Sequence, residues 1–280
     1  MPASMELIAE LERKANGLRC DVVKMCYHAG SGHPGGSLSA ADMVAALYFH
    51  FLRLDPGNPK WEDRDRFIMS KGHACPVLYA ALCRRGFFPE EVLWTLRRFG
   101  SPLQGHPDMK STPGLDMTSG SLGNGLSIGV GMTLGGRIAG KDFRVYVMLG
   151  DGELQEGLVW EGAMAASHFR LDRLTALVDY NKLQIDGENR EVMNLEPLVG
   201  KWQQFGWHTI EIDGNDMAQV VRAIEEAQRT GGRPTCIIGH TIKGKGVSYM
   251  EGAAEWHGRA PTQEELERAL AELGEKGGNA

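Results

Sequence analysis

Val147-Met148-Leu149-Gly150-Asp151-Gly152-Glu153 is an apolar run that stops at Gly-Asp-Gly, and the next apolar run, from Leu174, stops at Asp179-Tyr180-Asn181-Lys182. Each run has the length and content of a buried strand, and a helical stretch at about 156–169 separates them. A right-handed strand–helix–strand unit brings both strand ends to one edge of a parallel sheet. Adjacent strands lie about 5 Å apart. Asp151 and Asn181 are therefore expected to converge outside the carboxyl ends of the strands, where parallel α/β sheets bind ligands. A carboxylate and an amide oxygen are hard donors suited to Mg²⁺, which takes few protein ligands and completes its shell with phosphate oxygens and water. Gly152 lets the backbone approach a phosphate closely, beside the start of a helix. On these residues alone a structural alternative stands next to this one, with Asp151 as a helix cap and Asn181 as a turn residue.

The alternation extends in both directions. Residues 5–28 carry Leu7, Leu11, Ala15, Leu18, Val22 and Met25 at helical spacing, with Asn16-Gly17 as a possible break. Ser39 followed by Asp42 reads as a capping box opening a helix through about Leu52. Residues 66–70 read as a short strand, and Pro89 with Glu90 and Glu91 as the first turn of a helix. Residues 100–125 are rich in Gly, Pro and Ser and too long for a simple connector, which marks a functional loop. A glycine-laden helix at 123–138 precedes the strand at 143–149. Further strands are expected at 174–180, 207–212 and 235–240, with a helix at 216–229. Thr262 and Glu265 cap a last helix ahead of a polar tail. The expected fold class is α/β, a mostly parallel sheet with helices on both faces, in a single domain over residues 1–280.

Composition narrows the function. A chain of 280 residues can bury roughly 75% of its unfolded surface without staples. Its net charge of −6 is spread out with no basic block, which argues against nucleic acid and anionic membranes as partners. Five cysteines form no CxxC pair, as expected of reduced packing residues. The N-terminus has no apolar signal core, and no apolar run reaches the ~20 residues of a membrane span. A soluble, cytoplasmic protein is expected.

Six ordered segments carry a resemblance. They are Ser31-Gly32-His33-Pro34-Gly35-Gly36, Ser70-Lys71-Gly72-His73-Ala74, Gly105-His106-Pro107, Ser119-Gly120-Ser121-Leu122-Gly123-Asn124-Gly125, Asp151 to Gly157, and Trp256-His257-Gly258-Arg259-Ala260-Pro261. With Gly150-Asp151-Gly152, about thirty residues, then Asn181-Lys182, the chain resembles transketolases, whose fold binds thiamine diphosphate. The likeness runs from about residue 10 to 265.

The resemblance implies roles residue by residue. Asp151, the Asn181 side chain and the Leu183 carbonyl would ligate Mg²⁺, and Gly152 would offer its N–H to the diphosphate. Gly120, Leu122 and Ile185 would lie against the cofactor rings and hold it bent, so that its 4′-imino group can take the C2 proton and form the ylide. Ser121 stands where the family usually has proline. His73 and His257 would bond the diphosphate or the reacting oxygen, and His33 and His106 would hold the donor's C1 hydroxyl and carbonyl. Glu156, and with it Glu161, matches a carboxylate network between subunits; Glu153 is better read as favouring the helix dipole. His28, His50, His168, His208 and His240 lack such motifs and read as packing or surface residues.

Two decoys fall away. Gly135 to Lys141 mimics a phosphate-binding loop but ends in Asp142 and precedes a strand instead of following one. Gly123, Gly125 and Gly129 mimic a dinucleotide fingerprint with no strand ahead of them, and suit close helix packing better. Lys243-Gly244-Lys245-Gly246 recurs in the resembling proteins and on chemistry alone could be a solvated turn.

Transketolases are more than twice this long, and their second domain supplies the glutamate and aromatic stack for the aminopyrimidine. The family includes versions split into two chains. A pyrimidine-binding C-terminal partner subunit in an α2β2 assembly is therefore expected, transferring a two-carbon ketol unit from a ketose phosphate to an aldose phosphate. Rival readings are a non-catalytic cofactor-binding regulatory subunit, half of another thiamine-diphosphate enzyme, the α chain of a 2-oxo acid dehydrogenase, and a nucleotide-binding dehydrogenase domain. His33, His106 and His257 discriminate against the 2-oxo acid dehydrogenase chain, and the intact Asp151, Asn181 and histidine set speaks against a non-catalytic subunit. The dehydrogenase domain fails for want of a proper fingerprint.

Overall fold

A computed structural model describes residues 3–274. The chain opens with α1 (Met5–Ala29), α2 (Pro34–Ser39) and α3 (Ala41–Ala46), the last running into a π-helical turn at Leu47–Phe51. Strand β1 (Arg66–Met69) leads to α4 (Cys75–Arg84), and α5 (Asn124–Ile138) to β2 (Val145–Gly150). Helix α6 (Gly157–His168) precedes β3 (Leu174–Tyr180). A two-residue-armed hairpin, β4 (Leu183–Gln184) and β5 (Gly187–Glu188), follows with α7 (Asn189–Val192) and α8 (Leu198–Gln204). The chain then forms β6 (His208–Asp213), α9 (Met217–Arg229), β7 (Thr235–His240) and α10 (Gln263–Glu272).

The large sheet has the order β1-β2-β3-β7-β6, and every pairing in it is parallel. Alternation along each strand feeds two cores. Tyr146, Met148, Leu177 and Ile237 point to one side, into the cluster of α1 to α4, α9 and α10. Val145, Val147, Leu149, Ala176, Val178 and Ile238 point to the other, where α5, α6 and α8 pack with the buried Trp202 and Trp207. Helices thus cover both faces, as the alternation of elements predicts.

Several local expectations give way. Helix α1 runs unbroken through Asn16-Gly17, because its buried face continues from Leu11 and Ala15 to Val22 and Met25. Ser39 ends α2 and caps nothing; its hydroxyl donates to Asp179 Oδ2 at 2.6 Å. The segment after Pro89 is a 3-10 helix, Glu90–Thr95. The capping box of Thr262 and Glu265 is present as expected, and the polar tail beyond 274 lies outside the described residues.

The glycines of α5 do what close packing requires. A Cβ on Gly129 would lie 2.7 Å from Val147 Cγ2 and 3.2 Å from Leu174 Cδ1, so the helix rests directly on the sheet. Gly131 faces open space. Gly129→Leu is expected to destabilise the protein by about 1–3 kcal/mol through overpacking. Gly131→Ala is expected to be neutral or to stabilise by about 0.5–1 kcal/mol. Chemical denaturation midpoints at constant slope check both; equal effects at the two positions would refute the packing account.

Candidate functional site

Because the strands are parallel, the loops leaving β1, β2, β3 and β7 emerge on one edge of the sheet, and there they surround a cleft of about 400 Å³. The loop after β1 brings Lys71 and His73, and the loop after β2 brings Asp151, Gly152 and Glu156. The chain after β3 adds Asn181, Leu183 and Ile185, and the chain after β7 adds Lys243 and His257. His33, at the start of α2, and His106, Gly120 and Leu122, from the long loop, complete the wall. Every residue to which the sequence assigns a catalytic, cofactor or metal role lines this one cleft.

Asp151 is 3% exposed. Its Oδ1 accepts from the Gly152 N–H at 2.8 Å and its Oδ2 from the Lys182 N–H, across the gap between β2 and β3. No ion pair reaches it among the described residues. Burial, with the nearby charge of Asp179, pushes its carboxyl up to about 7. Asn181 Nδ2 donates to Asp179 Oδ2 at 3.2 Å, and its Oδ1 accepts from the Leu183 N–H at 3.1 Å. The Leu183 carbonyl accepts from Lys243 Nζ at 3.3 Å.

One carboxylate, one amide oxygen and one carbonyl oxygen are a fitting donor set for a hard divalent cation that keeps sites for phosphate and water. A buried carboxylate with no cation in contact, Lys243 acting on it only from a distance, is a place where such a metal ion would relieve a cost. No group of three or more His, Cys, Asp or Glu that could hold a metal exists among the described residues. A Cβ on Gly152 would crowd Gln184, coming 3.1 Å from its Oε1 and 3.3 Å from its Cβ.

The floor of the cleft is a buried polar network that the sequence reading missed. Lys71 (2% exposed) is ion-paired with Asp179 (0% exposed) and donates to the Gly36 carbonyl at 2.7 Å. Thr241 and Ser39 add their hydroxyls to the same carboxylate. Burial alone would raise the Asp179 pKa, but Lys71 and these donors outweigh it and hold it low. Glu153 is a correction: instead of simply favouring a helix dipole, it is 3% exposed and accepts from Ser70 Oγ and the N–H groups of Gly123 and Gly150. Lys243 is likewise no solvated turn residue, being 2% exposed, and burial lowers its pKa to about 8. An acid inside a strand as apolar as 174–180 was the available signal, since it needs a buried partner.

Three imidazoles cluster on one side of the cleft. The His33 ring centroid is 5.2 Å from His73 and 5.5 Å from His257, and His73 is 5.0 Å from His257. Burial, aided by neighbouring cations, lowers His33 to about 4, His73 to about 2 and His257 to about 3. These shifts favour neutral rings at pH 7, where an unperturbed histidine is close to its titration range. His106 stands apart at the mouth, exposed, with its pKa also lowered by burial and by Arg97. Glu156 is exposed at the start of α6, Glu161 is exposed further along it, and Ile185 is 69% exposed.

A family model described as "Transketolase, thiamine diphosphate binding domain" matches residues 11–278. The 6-deoxy-6-sulfo-D-fructose transketolase subunit SqwG of Clostridium sp. (strain MSTE9) is 47% identical over 268 residues, which are 96% of this chain and 98% of that protein. An apulose-4-phosphate transketolase subunit of Phocaeicola vulgatus is 44% identical over 273 residues, covering 98% of this chain and 95% of that protein. Among solved structures, the transketolase of Leishmania mexicana superposes with a TM-score of 0.89 at 33% identity. That match covers 98% of this chain but 42% of the Leishmania chain.

The neutral histidines set a pH dependence. Their folded pKa values lie below the unfolded value of about 6.5, so below that pH the unfolded chain binds protons that the folded chain refuses. The histidines' contribution is full above pH 6.5 and is expected to fall as the pH drops towards 4, by at most about 1.4 kcal/mol per pH unit for each ring. The fall is partly offset by Asp151, whose raised carboxyl takes up a proton in the folded chain over the same window. Denaturation of the ligand-free chain between pH 7.5 and 5 measures the slope. The triple change His33→Asn, His73→Asn, His257→Asn is expected to flatten it; an unchanged slope would assign the acid sensitivity to other groups.

Proposed function

The chain belongs to the transketolase family as its thiamine-diphosphate-binding domain, and we propose that it is the diphosphate-binding subunit of a two-chain transketolase working with Mg²⁺. With a pyrimidine-binding partner subunit, in an α2β2 assembly, it transfers a two-carbon ketol unit from a ketose phosphate to an aldose phosphate. The observation that carries this reading is the meeting of Asp151, Asn181 and the Leu183 carbonyl beside the three-histidine cluster, in one cleft. Two relatives matched over nearly their whole length are themselves named as subunits, which supports a partner chain. The sugars in those names carry a sulfonate or a phosphate, so a ketose with an anionic end suits the site. Sugar phosphates and five free cysteines suit the cytoplasm.

In this reading Asp151, Asn181 and Leu183 hold the metal, and Gly152 and His73 meet the diphosphate. When bound, thiamine diphosphate supplies a nucleophilic carbon that accepts and releases the ketol unit. Gly120, Leu122 and Ile185 form the walls against its rings. His33 and His106 hold the donor's hydroxyl and carbonyl oxygens, and His257 holds the reacting oxygen. Glu156 reaches towards the partner, consistent with its exposure.

Isothermal titration tests the metal assignment: wild-type chain with its partner binds thiamine diphosphate in the presence of Mg²⁺, and Asp151→Ala is expected to lose that binding. Wild-type affinity in Asp151→Ala would end the assignment. The chain alone is expected to give no aldose product with saturating cofactor and Mg²⁺, and addition of the partner is expected to restore turnover; robust turnover without the partner would sink the two-chain reading.

His106→Ala separates substrate contacts from cofactor contacts. Loss of one hydrogen bond to the donor sugar is expected to lower kcat/KM by about 5- to 150-fold, with cofactor affinity unchanged. The reverse pattern, normal donor kinetics with poor cofactor retention, would reassign the residue.

A further inference from the structure

Arg97 lies outside every motif of the sequence reading, yet it reaches the histidine cluster. Its guanidinium donates to Ser31 Oγ at 2.9 Å and sits 3.3 Å from His33 Nδ1. The guanidinium also packs on Gly105, where a Cβ would come within 2.9 Å of its Cζ. Only a glycine leaves room for it there, one residue before His106. The Arg97 backbone adopts φ of +60°, the left-handed region that non-glycine residues rarely occupy. Such conformations persist where surrounding structure over-determines them. No carboxylate pairs with this half-buried cation among the described residues, so its donors go to a hydroxyl and an imidazole.

A guanidinium has five N–H donors and no acceptor. The contact to His33 Nδ1 is therefore a hydrogen bond only if Nδ1 is the bare, accepting nitrogen, which leaves the proton on Nε2. Nε2 carries no hydrogen bond among the described residues, and His33 lines the cleft. His257 repeats the arrangement with a different cation, its Nδ1 lying 3.0 Å from Lys243 Nζ. We propose that Arg97 is a positioning residue that locks His33 in its neutral Nε2–H form, so that this imidazole meets the substrate as a hydrogen-bond donor and never as a base. The role in turnover rests on the transketolase reading above; the tautomer does not. A donor-only imidazole fits the oxygens of a ketose, which accept, and it stabilises negative charge developing on oxygen at no reorganisation cost.

The test reads the tautomer first. Nitrogen-15 spectra of histidine-labelled wild-type chain, free of cofactor and partner, with His33 assigned by its loss in His33→Gln, are expected to show an unprotonated Nδ1 and a protonated Nε2 from pH 8 down to pH 5. The groups facing His33 are Arg97, His73, His106, His257 and Lys243, and of these Arg97→Met removes the one that contacts Nδ1. In Arg97→Met, His33 is expected to populate both tautomers and to titrate at higher pH, and Arg97→Lys, which keeps a cationic donor, is expected to restore the wild-type pattern. In the assembled enzyme Arg97→Met is expected to lower kcat/KM for the ketose donor by about 10- to 100-fold, with thiamine diphosphate affinity unchanged. A proton on Nδ1 in the wild-type spectrum overturns the proposal even if Arg97→Met does not fold, and so does a His33 signal that Arg97→Met leaves unaltered. Failure of the wild-type chain and partner to bind thiamine diphosphate with Mg²⁺ would instead count against the transketolase reading and leave the tautomer result standing.

Discussion

The ion pair of Lys71 and Asp179 is the constraint from which the cleft takes its shape. Both groups are out of water, so each charge is tolerable only while the other is present. Removing one member of such a pair typically costs about 3–5 kcal/mol, whereas replacing both by apolar groups can be neutral. Stability is thus a weak reason for its presence, and geometry is a better one. Asp179 gathers donors from four parts of the chain: Ser39 at the end of α2, Lys71 after β1, Asn181 after its own strand, and Thr241 after β7. One carboxylate therefore sets the relative positions of all the loops that build the floor.

It also decides which way Asn181 faces. An ionised carboxylate only accepts, so it takes the amide nitrogen of Asn181 and leaves the amide oxygen beside Asp151 and Leu183. The lysine spent on Asp179 is a lysine not spent on Asp151. Two carboxylates near one another end with opposite fates, one in contact with an ammonium and held low, the other with no contacting cation among the described residues and pushed up to about 7. A fold selected for stability alone would not leave Asp151 in that state. On the proposed reading, a metal ion brought by a diphosphate would supply what is missing, the stability–function compromise expected of a binding site.

The sheet was legible because hydrophobic runs of strand length, spaced by helical periods, admit few other arrangements. Asp151 and Asn181 were legible because both punctuate such runs. The histidines carried no signal of their own; they were found through the motifs around them, and only the fold explains how His33 and His257, more than 200 residues apart in sequence, touch rings. What stayed hidden were groups whose meaning depends on burial. Lys71 and Lys243 look like ordinary charges beside glycines until both prove 2% exposed. Ser39 reads as a cap by local pattern, but its hydroxyl answers to a carboxylate 140 residues away. Arg97 has no sequence signature because its placement depends on a backbone angle and on the missing side chain of Gly105.

The same electrostatics limits what the cleft can do by itself. His33, His73 and His257 stay neutral far below pH 7, and Glu153 is held by three donors. Asp151 faces the metal on the proposed reading. Each of these can hold an oxygen or a cation in place, and burial favours the neutral form of the three rings at neutral pH. General acid–base work needs a group whose pKa lies near the working pH and which is within reach of the proton. Among the cleft's own side chains Asp151, raised to about 7, and Lys243, lowered to about 8, come nearest. Yet the first already accepts from the Gly152 and Lys182 N–H groups, and the second donates to the Leu183 carbonyl and to His257. On the proposed reading, positioning is the larger part of this chain's share of the chemistry, and a carboxylic acid on the partner would supply an exchangeable proton.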